Sequence, residues 1–444
     1  MTAHTPAALR PPRGSSRYFQ DASRQPIYLT GSHTWSNFQD RGASDPPPAF
    51  DFERYLDWLI GLNHNLVRLW IWEEARRGCP GAYRYIFPNA YLRTGPGLAL
   101  DGKLRFDLDR FDPAYFARLR GRVLAAGERG LYVSIMLFQG WSGRKHWDQD
   151  APFFGHPYQV HNNTNGLDGA RPDGLLIDLD APAVRRRDAA YLEQVVSAVR
   201  DLPNVLFEVA NEGGTRSWNR FVLQTVQGLE QRGPIRHPIG LTAHGDEPTS
   251  SLRVSSADWS SPGCLDVPSL YDDPPAVEPG TIQVIDSDHL WGVGGDHRWV
   301  WKCFCRGYNL MFMDPYLDAP WSDGRAPAPG FQAARSAMGQ VHALTERLSL
   351  NRMVPASRIS SRYFCLADLG WVYVVYLPEG GFVLLDLSEA AGEFEVEWIH
   401  PVSGERRSGD LVTGGQPRTM FWSPFAGDAV LHLRQQTATP ATRR

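Results

Sequence analysis

The chain has 444 residues, of which 42% are hydrophobic, and its formal net charge at pH 7 is −4. It is long enough to bury a barrel of ordinary size and a smaller second domain, and its near-neutral charge, without long runs of one sign, argues against a nucleic-acid or membrane partner. No stretch is long and apolar enough to span a membrane, and the amino terminus lacks the apolar core of a signal peptide, so we expect a cytoplasmic protein.

Residues 1–16 are polar and proline-rich, and we expect them to be flexible. From residue 17 to residue 353, short apolar runs alternate with segments of helical periodicity. The apolar runs predict strands over 27–30, 65–72, 131–138, 205–209, 237–242, 264–270, 281–285 and 310–313. The periodic segments predict helices over 52–62, 112–127, 181–201, 217–233, 298–306 and 331–348.

Eight strand-like runs that alternate with helical segments over this length indicate an α/β protein of the (β/α)8 TIM-barrel class. An open, doubly wound sheet is the alternative, but it needs a glycine-rich phosphate loop early in the chain, and the sequence has none. Two long insertions, 78–108 and 142–177, lack regular periodicity. We expect them to be loops that form a lid or rim over the barrel.

Beyond residue 353 the sequence changes to short alternating runs separated by glycine-containing turns at 379–381, 403–404 and 414–415. This pattern predicts a C-terminal antiparallel β-sandwich over 354–436, followed by a disordered tail, 437–444. Its simplest role is to brace the barrel. Trp371, Trp398 and Trp422 alternate within it as core residues do.

Polar and aromatic side chains cluster in sequence at the ends of the predicted barrel strands, where the active site of a barrel lies. They are His33, Trp35, Arg68, Gln139, Trp141, Asn211, Glu212, His244, Tyr271, Asp286, Asp288, His289 and Trp291. Glu212 follows strand four, and two aspartates follow strand seven. Such opposed carboxyl groups can cleave a glycosidic bond, since one protonates the departing oxygen while the other attacks carbon or activates water.

The strand-four ending VANE, with a carboxylate on strand seven and an arginine on strand two, resembles the clan A glycoside hydrolases. The opening RYFQDASRQPIYLTGSHTW and the β-domain segment EVEWIHPVSGE are more closely similar to bacterial apiosidase-like glycosidases, which often carry a collagen-binding-like C-terminal domain. The resemblance implies that Glu212 is the general acid/base and that Asn211 holds the sugar hydroxyl beside the cleaved bond. It also implies that Arg68 keeps the nucleophile ionised and that Tyr271 donates to the same carboxylate.

Strand seven departs from the family pattern, because VIDSDHLWG offers only aspartates where the family usually has glutamate. Asp288 aligns better than Asp286 and is the predicted nucleophile, but residues two apart share a face, so either can be the second carboxylate. Aspartate is one methylene shorter than glutamate, which widens the gap between the carboxyl groups. Retention of configuration is the prediction, and inversion stays open.

We therefore predict a glycosidase without a cofactor, whose carbohydrate substrate binds under the two insertions near Trp35, Trp141 and Trp291. One alternative is a non-catalytic carbohydrate-binding barrel that has lost its strand-seven glutamate. Another is a metal-dependent hydrolase that uses the strand-end histidines. We predict no metal, because the sequence has no HxH on strand one and no HExxH motif.

Overall fold

A barrel of eight parallel strands forms the first part of the chain. The structure is a computed structural model that describes residues 6–12, 14–143, 152–172, 177–244, 248–252, 255–265 and 267–436. The barrel strands β1–β8 span Thr30–His33, Leu66–Leu69, Tyr132–Gln139, Val205–Asn211, Ile239–Thr242, Trp259–Ser261, Val284–Asp286 and Asn309–Met313. They pair in chain order, β8 pairs with β1, and a bridge between Ser260 and Gln283 joins β6 to β7. The predicted (β/α)8 barrel is confirmed.

Two barrel strands lie elsewhere than predicted. Residues Pro26–Ile27 pair with Phe19–Gln20 in a separate antiparallel hairpin, and β1 begins at Thr30. Strand β6 ends at Ser261, whereas the predicted sixth strand, 264–270, contains no strand in the described residues. Both strands are short and built largely from small polar residues, so neither shows the apolar run by which buried strands are recognised.

Helices cover the outside of the barrel. Helices α1–α8 span Phe52–Gly61, Pro113–Glu128, Pro182–Val199, Arg216–Glu230, Thr249–Leu252, Asp288–Trp291, His297–Cys305 and Gln332–Thr345. Several begin where a side chain accepts a free backbone N–H of the first turn, as Asp51, Asp112 and Thr215 do. Within the described residues, no helix combines the length and the apolar character needed to cross a membrane.

The first insertion is folded rather than loop-like, contrary to prediction. Strands Tyr91–Leu98 and Leu104–Phe111 form a hairpin. A second, three-stranded sheet contains Asp40–Gly42, Arg76–Arg77 and Arg84–Phe87. The glycines and proline of the hairpin interrupt the alternation and shift the register between Arg93 and Leu98, which obscures the strand pattern.

The second insertion and the chain ends are described only in part. Within the insertion, 3-10 turns span Pro152–Gly155 and Val160–Asn162. The predicted disordered tail, 437–444, lies outside the described residues. Near the amino terminus, Leu9 is buried and Arg10 pairs with Gln20, so this part of the segment expected to be flexible packs against the barrel.

The C-terminal region consists of antiparallel strands, as predicted. Strands β9–β17 span Val354–Pro355, Cys365–Asp368, Val372–Leu377, Phe382–Leu385, Glu393–Ile399, Arg406–Ser408, Val412–Thr413, Thr419–Trp422 and Ala429–Gln435. One sheet has the order β9-β10-β11-β17-β13-β14, with β15 also on β13, and the other pairs β12 with β16. Trp398 is buried, but Trp371 and Trp422 are 48% and 65% exposed, so these two are not core residues.

One apolar cluster contains residues of both the barrel helices and the sandwich. Trp301 and Phe304 of α7 and Met338 of α8 belong to the same buried cluster as Val374 and Tyr376 of β11. The Trp301 indole also donates a hydrogen bond to the carbonyl oxygen of Pro401, at 2.9 Å. Packing of this kind holds the sandwich against the barrel helices that precede it.

Candidate active site

A fully buried arginine organises the carboxyl ends of the strands. Arg68 of β2 donates two hydrogen bonds to the Glu208 carboxylate of β4, at 2.6 and 2.7 Å, and one to Asn211 Oδ1, at 3.0 Å. Its Nη1 lies 3.3 Å from Asp286 Oδ2 on β7. Burial alone lowers the pKa of Arg68, but the charges of Glu208 and Asp286 outweigh it, so the net shift is upward.

Glu208 was missed by the sequence analysis. It lies inside the apolar run of β4, is buried, and also accepts a hydrogen bond from Thr242 Oγ1, at 2.7 Å. The sequence nevertheless contains a signal for Glu208, because a carboxylate within an apolar strand needs a charged or hydrogen-bonding partner. Arg68 supplies that charge, so its principal partner is Glu208 and not the predicted nucleophile.

Asp286 lies beneath the cleft and is held as a carboxylate. Its Oδ1 lies 3.0 Å from His33 Nε2 and accepts the backbone N–H of Asp288, also at 3.0 Å. The His33 ring stacks on Trp70, with centroids 5.2 Å apart. Burial raises the pKa of Asp286, but His33 and Arg68 lower it more strongly, so the net pKa is below its ordinary value.

Asp288 begins the short helix α6 and faces the cleft. Burial, followed by the negative charges of Asp286 and Glu212, raises the pKa of Asp288 well above its ordinary value, and Arg68 compensates only in part. Among the described residues, its Oδ2 atom has no hydrogen-bond partner. The two strand-seven aspartates therefore differ in ionisation, because Asp286 is stabilised as an anion and Asp288 is not.

Glu212 follows β4 in a strained backbone conformation, with a φ of +41°. Its carboxylate accepts a hydrogen bond from the indole N–H of Trp141, which follows β3. The ends of β3 and β4 approach so closely that a Cβ on Gly140 would lie 2.2 Å from the Glu212 carbonyl oxygen. The glycine therefore allows the backbone of Glu212 to sit where it does.

Asn211 is fixed by a network of hydrogen bonds. Its Oδ1 accepts from Arg68 and contacts His289 Nε2 at 3.0 Å, and its Nδ2 donates to Gln139 Oε1 at 3.3 Å. His289 Nδ1 lies 3.1 Å from Ser261 Oγ. The amide orientation is thus set before any ligand binds.

A cleft of about 600 Å³ opens above this network. It is lined by eight of the predicted site residues: Trp35, Gln139, Trp141, Asn211, Glu212, His244, Asp288 and His289. Trp70, Trp72, Arg41 and Arg77 also line it and were not predicted. Trp70 and Trp72 follow Arg68 at alternate positions along the chain, a pattern that the sequence analysis could have used.

Five predicted site residues lie outside the cleft lining. His33, Arg68 and Asp286 form the buried layer beneath it. The Tyr271 hydroxyl donates to the Leu290 carbonyl oxygen at 2.5 Å, so its predicted hydrogen bond to the nucleophile is wrong. Tyr271 lies ten residues beyond the end of β6, in the 3-10 turn Pro268–Tyr271, where it packs edge-on against Trp291.

A second chamber, of about 580 Å³, adjoins the cleft. Gln139, Glu212 and His244 line both spaces, whereas Asp288 lines the cleft and not the chamber. Glu212 therefore stands where the two spaces meet. The described residues contain no group of three or more His, Cys, Asp or Glu side chains placed to hold a metal ion.

The fold is shared with solved structures of glycoside hydrolases. A glycoside hydrolase family 5 structure from Bacteroides vulgatus ATCC 8482 is 13% identical, with 95% of this chain and 91% of that chain covered and a TM-score of 0.64. A structure described as a glycoside hydrolase is 12% identical, with 98% of each chain covered and a TM-score of 0.60. A maltogenic alpha-amylase from Thermotoga neapolitana is 13% identical, with 92% and 99% covered and a TM-score of 0.53.

No family model matches the sequence, and no curated protein matches it either. At 12 to 13% identity the structural likeness establishes the fold alone. One barrel fold supports many activities, so the function has to be argued from the site.

Proposed function

We propose that this protein is a glycoside hydrolase in which Glu212 is the general acid/base and Asp288 is the second carboxylate. The observation that carries the proposal is that these two side chains, contributed by β4 and by the segment after β7, line one cleft together with Trp35, Trp70 and Trp141. Indole rings offer flat, amphipathic surfaces that suit sugar rings. The proposal also agrees with the glycoside hydrolase names of the structures that share this fold.

The electrostatics of the cleft suit acid/base chemistry. Asp286 is stabilised as an anion, and burial, together with the charges of Asp286 and Glu212, raises the pKa of Asp288. Asp288 therefore retains its proton at a pH at which an isolated carboxyl group would have lost it. To act as the second carboxylate, Asp288 has to pass this proton to Glu212, which lines the same cleft; the pair then contains the acid and the carboxylate that glycoside cleavage requires.

The proposed reaction is a double displacement. After its proton has passed to Glu212, Asp288 attacks the anomeric carbon while Glu212 protonates the departing oxygen, and water then releases the sugar from Asp288 with Glu212 as the base. Asn211, fixed by Arg68 and His289, would hold a sugar hydroxyl beside the bond. Retention is the proposed outcome, and NMR of the first-formed sugar distinguishes it from inversion.

The test is a screen of aryl glycosides that includes apiosides, because the resemblance to apiosidase-like glycosidases remains a prediction. Glu212→Gln should lower kcat/KM on a substrate found in the screen by about 10²–10⁴-fold, the usual contribution of general acid catalysis. Glu193→Gln, an exposed change on α3, serves as the matched control and should have no effect.

Unchanged turnover by Glu212→Gln would refute the assignment. Saturable sugar binding without hydrolysis across the panel would instead establish the non-catalytic carbohydrate-binding barrel. Activity that is lost on chelation and restored by a metal found by elemental analysis would establish the metal-dependent hydrolase.

A further inference from the structure

The chamber beside Glu212 differs in character from the cleft. Among the described residues, an apolar and aromatic part of its wall is formed by Phe138, Tyr158, Ile177, Leu179 and Trp218, and the exposed Arg171 also lines it. The described lining of the cleft carries two cationic side chains, Arg41 and Arg77, among four tryptophans, and no isoleucine. Two spaces of similar volume, about 580 and 600 Å³, are therefore lined for different ligand chemistries.

The aromatic walls of the chamber are held rigidly by one buried carboxyl group. Asp188 of α3 accepts the Tyr158 hydroxyl at 3.0 Å on one oxygen and the Trp218 indole N–H at 2.8 Å on the other. The Tyr158 hydroxyl also lies 3.0 Å from that of Tyr91. Because these rings are positioned before a ligand arrives, binding there costs little side-chain ordering.

Within the described part of the chain, most of the charged side chains that line the chamber are carboxylates, which accept hydrogen bonds. Glu73 lines it and is itself oriented, because Oε1 accepts the Gln139 backbone N–H at 2.8 Å and Oε2 lies 3.2 Å from His156 Nε2. Asp178 and Asp180 also line the chamber. Acceptors beside an apolar surface match a ligand that carries hydroxyl donors on a hydrophobic ring.

We propose that the chamber binds the leaving group, and that the substrates are glycosides of hydrophobic, ring-bearing alcohols. This inference rests on the proposed glycosidase function. When the bond between the anomeric carbon and the glycosidic oxygen breaks, the oxygen keeps the electron pair and takes a proton from Glu212, so the alcohol leaves beside Glu212. The sugar occupies the cleft, which Asp288 lines, and the chamber is the space that Glu212 reaches on its other side.

The first experiment compares benzyl and methyl glycosides of the sugar identified by the screen. Their alcohols are of nearly equal acidity, so a difference in kcat/KM reports binding of the leaving group and not its reactivity. We expect the benzyl glycoside to be favoured by about tenfold or more. Leu179→Ala should reduce this preference several-fold, while Leu124→Ala, an exposed leucine on α2, should leave it unchanged.

The second experiment does not depend on turnover. Binding of 2-naphthol to the wild-type protein, followed by quenching of tryptophan fluorescence, should be saturable and weakened by Leu179→Ala but not by Leu124→Ala. Equal rates for the two glycosides, or a disaccharide cleaved faster than the benzyl glycoside, would overturn the inference while leaving the glycosidase function intact. If no glycoside is cleaved, the proposed function fails, and the absence of 2-naphthol binding would overturn the assignment of the chamber as well.

Discussion

Replacement of Arg68 by methionine is the most direct test of how the site is held together. The guanidinium makes three hydrogen bonds to Glu208 and Asn211 and an ion pair with Asp286, all without exposure to solvent. Methionine keeps much of the side-chain volume but leaves two buried carboxylates without their counter-charge. Loss of one partner of a buried ion pair costs about 3–5 kcal/mol, so we expect Arg68→Met to destabilise the fold by that amount.

Arg120→Met is the matched control, because Arg120 also makes a bidentate contact with a carboxylate, but at the protein surface. Its nitrogens donate to both Asp201 oxygens at 2.7 and 2.9 Å, but both side chains are well exposed. Exposed pairs contribute only about 0.2–1 kcal/mol, because water and salt screen them. The two variants therefore remove similar contacts and differ in burial.

The measurement is urea unfolding at pH 7, followed by tryptophan fluorescence and circular dichroism. The double variant Arg68→Met/Glu208→Gln should be less destabilised than the sum of the two single variants, because it removes the uncompensated charge on Glu208. If the free energies of unfolding of Arg68→Met and Arg120→Met agree within about 1 kcal/mol, burial of the charge network does not add to stability.

Two further predictions concern Asp288 and Gly140. The pKa of Asp288 is higher in the folded protein than in the unfolded chain, where it is about 3.9. Its contribution to stability is therefore complete below about pH 3.9, where both states are protonated, and is lost as the pH rises through the pKa of the folded state. Asp288→Asn, which is neutral throughout, should therefore have a higher urea midpoint than the wild type at pH 8 and the same midpoint near pH 3.5, and equal midpoints at both would contradict this. Gly140→Ala should cost about 1–3 kcal/mol because its Cβ meets the Glu212 backbone, whereas Gly121→Ala on α2, where nothing lies within 4 Å, should stabilise by about 0.5–1 kcal/mol. Thermal unfolding measures the Tm of both glycine variants. Similar changes in Tm for Gly140→Ala and Gly121→Ala would contradict the close approach of the Glu212 backbone to Gly140.

The fold was predictable where strands are long and apolar. Strands β3 and β4 lie close to their predicted bounds because they are buried on both faces and read as continuous apolar runs. Strand β1 was predicted too early in the chain because its own residues show no apolar run. Gly31 is required there, since a Cβ at this position would lie 1.7 Å from the Leu66 carbonyl oxygen, and a glycine adds nothing to an apolar pattern.

The site was predictable as far as barrel topology determines it. Because the carboxyl ends of the strands of a barrel surround one active-site cleft, the sequence predicted that Asn211, Glu212 and Asp288 lie together although they are distant in the chain. This rule does not specify side-chain directions, so it did not show that Arg68 pairs with Glu208. It also assumed that Tyr271 follows β6 directly, whereas that strand ends ten residues earlier.

The apolar surface common to α7, α8 and β11 also constrains how the protein could have evolved. A gene shortened to encode only the barrel would expose Trp301 and Phe304, residues that are completely buried in the intact chain. An exposed patch of this kind promotes self-association. The C-terminal sandwich is therefore difficult to lose or exchange as an independent module, and changes on either side of the shared surface have to be accommodated by the other.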